Sequence, residues 1–79
     1  MRTIGIIGAM EIEVTELKNR MQIQNITSIA SMDFCQGSYY GKNVVIVRSG
    51  IGKVNAAICA QILIDRFQAD IVINTGIAG

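Results

Sequence analysis

The spacing of apolar residues changes period several times along the chain, and each change marks an element. Ile4, Ile6 and Ile7 form a nearly continuous β-branched run at residues 3–7, the pattern of a strand covered on both faces. Gly8 follows; without a side chain it permits a tight turn and close approach of a ligand to the main chain. From about residue 10 to 21 the period becomes helical. Met10, Val14, Leu17 and Met21 fall on one face, the core side. Glu11, Thr15 and Lys18 fall on the opposite face, and Glu16 and Arg20 form an exposed i, i+4 pair. Ile12 lies well off the core face. It reads equally as a second contact surface or as an isolated exposed isoleucine, which is common.

Residues 23–47 read as β structure. Candidate strands cover 26–30, 32–38 and 43–47, with turns expected at Ser31-Met32-Asp33 and Tyr40-Gly41-Lys42-Asn43. The last two strands form an antiparallel hairpin around Gly41, with Tyr39 and Tyr40 capping the sheet edge. Val44-Val45-Ile46-Val47 is continuous and therefore interior. After Arg48-Ser49-Gly50-Ile51-Gly52 a helix is expected over Lys53–Phe67, apolar nearly all round. Val54, Ile58 and Ile62 form one face; Ala56, Ala60, Leu63 and Phe67 form most of another. Such a helix is buried on two sides. The run Ile71-Val72-Ile73 predicts a central, parallel strand over 70–74, ending in Thr75-Gly76-Ile77-Ala78-Gly79.

The pattern thus predicts an α/β fold in which three interior strands end in glycine turns. If those strands are parallel, all three turns share one edge of the sheet. Ligands bind in α/β folds at the carboxyl ends of the strands. A single glycine turn only makes a tight connection, but three beside a carboxylate mark a small-molecule site. Glu11 and Glu13 both fall in the first helical turn, where the helix dipole favours a negative charge. At 3.6 residues per turn Glu13 lies about 60° from the centre of the apolar stripe, at the edge of the core face. Glu11 is turned from it by about 200°. The two carboxylates therefore do not form the facing acid pair of a glycosidase, and only one can enter the site.

Composition narrows the picture. The chain has 79 residues, of which 51% are hydrophobic and 16% charged. That is much apolar surface for so small a body, so residues 1–79 read as the N-terminal fragment of a larger α/β domain, or as part of an oligomer. The net charge is +1 and the seven basic residues are scattered, which argues against nucleic acid as a partner. Cys35 and Cys59 lack CxxC spacing and read as buried, reduced thiols. The chain contains no His, so imidazole chemistry and His/Cys zinc sites are unsupported; no metal or cofactor is expected. No signal peptide and no membrane-length apolar run are read, and the expected location is cytoplasmic. Gly5-x-x-Gly8 lacks dinucleotide-fold spacing. Gly52-Lys53 lacks the wide loop and the following Ser or Thr of a P-loop. Gly50–Lys53 could hold an anion at a helix N-terminus, but a plain helix start with an exposed Lys is the preferred reading.

Three stretches carry a family resemblance: Ile4-Gly5-Ile6-Ile7-Gly8-Ala9-Met10-Glu11-Ile12-Glu13-Val14, Ser49-Gly50-Ile51-Gly52-Lys53-Val54-Asn55-Ala56-Ala57, and Ile73-Asn74-Thr75-Gly76-Ile77-Ala78-Gly79. In order and spacing they resemble 5′-methylthioadenosine/S-adenosylhomocysteine nucleosidases, of the purine nucleoside phosphorylase/uridine phosphorylase superfamily. The likeness covers essentially the whole chain but only the first third or so of a family member. Ile12 departs where a third acidic residue is usual, and Ile77 where Ser is common, beside the base site.

The resemblance implies the N-terminal part of a phosphorylase/hydrolase-like three-layer α/β/α fold with a mixed central sheet. It implies hydrolysis of the N-glycosidic bond of adenine thio-nucleosides through an oxocarbenium-like transition state. Glu13 matches the residue that binds and activates the water. Met10 and Ile51 match residues lining the ribose and alkylthio region, and Ala78 and Gly79 the turn beside the purine. The acid that protonates adenine and the glutamate that holds the ribose hydroxyls belong to the sequence downstream, so the 79-residue chain alone is expected to be inactive. A homodimer is implied, and the two apolar faces of the second helix place its contact there, with Ala60→Asp as a probe. Two alternatives stay open. One is a phosphate-dependent phosphorylase, for which Arg48 is the nearby basic group. The other is a non-catalytic, flavodoxin-like nucleoside-binding module.

Overall fold

Seven elements follow one another: β1 (Thr3–Gly8), α1 (Glu11–Arg20), β2 (Gln22–Ile29), β3 (Met32–Tyr39), β4 (Lys42–Arg48), α2 (Lys53–Phe67) and β5 (Ile71–Asn74). The computed structural model describes residues 2–8, 11–49 and 53–74, without the side chains of 11–13 and 53–55. The strands form one mixed sheet in the order β2-β3-β4-β1-β5. β1 runs parallel to both β4 and β5, while β2, β3 and β4 form an antiparallel meander. Helices cover both faces, giving the α/β/α layering expected from the sequence.

Period-two alternation in the strands divides the core in two. On the α2 side Ile7, Phe34, Val45 and Val47 pack with Cys59 and Leu63 of the helix. Phe34 and Phe67 stack there, their ring centroids 5.4 Å apart. On the α1 side Val14 and Met21 pack with Cys35, Val44 and Ile46, flanked by Ile4, Ile6 and Leu17. The continuous apolar run of β4 is explained by this: alternate residues serve opposite layers, and all four are buried. Gly5 lets α2 approach closely, because a Cβ there would stand 2.9 Å from a Leu63 methyl. Both thiols are buried and free, as expected.

Three expectations need correction. The first hairpin turns at Ala30-Ser31, and Met32 and Asp33 already pair with Ile29 and Ser28 in β3. β2 begins at Gln22, earlier than residue 26. Its polar start hides it, since an edge strand is held by backbone pairing rather than by burial. β5 is parallel, as expected, and ends the strand order formed by the described residues. Val72 meets the α2 core, but α1 packs over β4, β1 and β2 and leaves Ile71 and Ile73 at 43% and 44% exposure. Finally, the two faces assigned to α2 are redistributed. Ala60, Ile62 and Phe67 all pack inward, so Ala60 is no probe of an outer contact. The exposed large apolar residues of α2 among those described are Ile58, which lines the strand-end cleft, and Ile64, 41% and 50% exposed.

Candidate functional site

The carboxyl ends of β1, β4 and β5 coincide. Gly8 stands opposite Arg48, and Ile7 opposite Asn74. The Ser49 N–H donates to the Gly8 carbonyl at 3.0 Å, extending the β1–β4 contact past the last strand pair. At the other edge, Asp70 fixes the entry of β5. Its N–H donates to the Thr3 carbonyl at 2.8 Å, and its carboxylate accepts the Thr3 N–H at 2.9 Å. The chain therefore leaves all three parallel strands at one edge, as the repeated glycine turns predict.

Glu13 is the third residue of α1, in the first turn of the helix that follows β1. Its side chain lies outside the described residues, as do those of Glu11 and Ile12. Met10, Ile51, Ala78 and Gly79, the other expected site residues, also lie outside them. The fold fixes the strand ends from which these segments depart.

A cleft of about 500 Å³ opens at this edge, within the usual range for small-molecule sites. α1 contributes Thr15 and Lys18, the β2–β3 hairpin contributes Ser31 and Asp33, and the end of β4 contributes Arg48 and Ser49. Ser49 is buried, whereas Asp33 and Arg48 are exposed at the rim. Among the described residues two cations and one carboxylate thus line one cavity, beside the apolar Val14, Ala30, Met32 and Ile58. The sequence marks Arg48 as a nearby base and places Lys18 on a solvated face. It gives no sign of the hairpin's part, because only the pairing of β3 beside β4 brings residues 30–33 to this edge. Beneath the hairpin, the Cys59 thiol donates to the Met32 Sδ at 3.2 Å. Burial pushes that thiol's pKa above its ordinary value, so it stays protonated and unreactive. No group of three or more His, Cys, Asp or Glu able to hold a metal occurs among the described residues.

The family model of the phosphorylase superfamily matches residues 3–79. The chain belongs to that superfamily. Similar proteins narrow the comparison within it. A 5′-methylthioadenosine/S-adenosylhomocysteine nucleosidase of Bacillus licheniformis is 55% identical over 76 residues, covering 96% of this chain and 33% of the relative. The crystal structure of such a nucleosidase from Colwellia psychrerythraea, in complex with adenine, is 53% identical with a TM-score of 0.87, covering 92% of this chain and 30% of that one. The nucleosidase from Neisseria meningitidis, in complex with methylthio-immucillin-A, is 41% identical with a TM-score of 0.89, covering 95% and 32%. The phosphorylase-like α/β fold is therefore shared with these enzymes. The chain spans about a third of the length of the curated relatives it matches.

Proposed function

We propose that residues 1–79 form the N-terminal part of an enzyme that hydrolyses 5′-methylthioadenosine and S-adenosylhomocysteine. The products are adenine and the corresponding thioribose. The observation that carries this reading is the common edge of β1, β4 and β5, with Glu13 in the first turn of the helix leaving that edge. The similarity to named nucleosidases supports the choice of substrate.

In this reading the Glu13 carboxylate accepts a hydrogen bond from a water below the ribose. The bond between C1′ and the base nitrogen breaks, the electron pair passes to adenine, and the water oxygen bonds to C1′. The water's proton is taken up by Glu13, while an acid supplied by the sequence downstream protonates the base. The helix N-terminus keeps Glu13 ionised and ready to accept. Met10 and Ile51 offer an apolar surface suited to a thioether, and Ala78 and Gly79 flank the purine. The enzyme acts in the cytoplasm, in methionine salvage, as a homodimer whose contact includes the outer surface of α2. The isolated 79 residues lack the base-protonating acid and do not turn over.

The test uses the full-length protein in phosphate-free buffer, with release of adenine and free thioribose as readout. Glu13→Gln keeps shape and removes the charge, and should lower kcat on the order of 10²-fold or more. Glu11→Gln should cost little. Strict dependence on phosphate would convert the reading to phosphorolysis. Equal loss in the two variants would remove Glu13 from its role.

A further inference from the structure

The cleft at the strand ends holds more charge than a methylthio group needs. Methylthioadenosine is uncharged, and its thioether seeks apolar surface. S-adenosylhomocysteine extends the same sulfur by an amino-acid tail that carries both a carboxylate and an ammonium at neutral pH. The cleft offers both complements. Lys18 and Arg48 supply positive charge from α1 and β4, and Asp33 supplies negative charge from the hairpin. A phosphate would gain from the two cations but would meet repulsion from Asp33, so the mixed lining fits a zwitterion better than an anion.

The position suits a tail as well. Arg48 and Ser49 immediately precede the segment containing Ile51, and Thr15 and Lys18 follow Glu13 along α1. The described lining of the cleft is thus next in sequence to the segments assigned to the reaction. Arg48 and Ser49 each already interact within the fold, so a guest would bind them in addition to those partners.

Resting on the nucleosidase reading above, we propose that this cleft receives the amino-acid tail of S-adenosylhomocysteine. Arg48 and Lys18 hold its carboxylate and Asp33 holds its ammonium. These are specificity residues: they make the longer substrate competitive with methylthioadenosine and leave the chemistry at C1′ to others.

The experiment measures kcat/KM of the full-length enzyme for the two nucleosides and follows their ratio in Arg48→Gln and Asp33→Asn. Because both substrates are assayed on one preparation, loss of folded protein cancels from the ratio. A hydrogen bond to a charged group is worth enough to shift that ratio about tenfold against S-adenosylhomocysteine in each variant, through KM. Arg48→Lys should restore part of it. If Arg48→Gln leaves no folded enzyme, Lys18→Gln on α1 takes its place with the same expected direction. A ratio within twofold of wild type in either variant overturns the tail assignment while leaving the nucleosidase reading intact. So does stimulation of turnover by added inorganic phosphate that Arg48→Gln abolishes, which would make the cleft a phosphate site. Failure of the wild-type enzyme to cleave either nucleoside would sink the parent reading, and the tail assignment with it.

Discussion

Ala30 and Ser31 turn the β2–β3 hairpin with φ of 52° and 64°, and neither is glycine. Positive φ at both central residues is the pattern of a type I′ turn, whose right-handed twist suits a two-residue hairpin. A non-glycine residue pays steric energy in that region, on the order of 1–2 kcal/mol each. The sequence concealed this turn because Ala and Ser are not its usual residues. The second hairpin, with Tyr40 at 51° and Gly41 at 76°, was legible from its glycine. Replacing Ala30-Ser31 by Asn-Gly should therefore stabilise the chain by about 1 kcal/mol, seen as a higher urea midpoint at unchanged slope. An unchanged or lower midpoint would mean that the turn is not strained as its backbone angles imply.

Among the elements, β2 depends most on backbone geometry. Its register against β3 shifts between Ile23 and Asn25, where Gln24 is the extra residue of a bulge. Across from it, Gly37 packs directly on the main chain. A Cβ at Gly37 would overlap the Gln22 carbonyl and press on the Ile23 Cα. Backbone cannot step aside as a side chain can. Gly37→Ala should lower stability by roughly 2 kcal/mol or more, with the start of β2 loosening before the rest. Amide exchange faster at 22–25 than in β4 would report it; uniform protection equal to the parent would refute the assignment. Gly5 makes a useful contrast, because the atoms above it belong to the Leu63 side chain rather than to backbone.

For the whole molecule, the unburied apolar surface matters most. Ile64 is exposed on α2, Ile58 stands at the cleft, and Ile71 and Ile73 are exposed on β5. Exposed apolar residues are ordinary one at a time; Ile64, half exposed on α2, is the one that tests the proposed subunit contact. In the full-length protein Ile64→Asp should convert dimer to monomer at micromolar concentration, because a carboxylate buried in an apolar contact lacks a partner. Sedimentation velocity distinguishes the outcomes. A native monomer, or a variant that stays dimeric, would place the contact elsewhere.

The local pattern of the chain was enough to locate β1, α1, β3, β4, α2 and β5 and to assign the α/β class, while the glycine turns and the Glu13 side chain it points to lie outside the described residues. Period and turn chemistry are local properties, and they survive any tertiary arrangement. Which strand is central is not local. Ile71-Val72-Ile73 reads as an interior run, and its burial depends on what packs on the side of β5 away from β1. The facing of α2 is similar: an all-apolar helix has no marked side until a sheet is set against it, and only packing turned Ala60 inward and Ile64 outward. The cleft also belongs to tertiary structure. Lys18, Asp33 and Arg48 are far apart in sequence and carry no shared motif. They meet because β3 and β4 pair antiparallel beside a parallel β1, which puts a hairpin tip, a strand end and a helix on one rim.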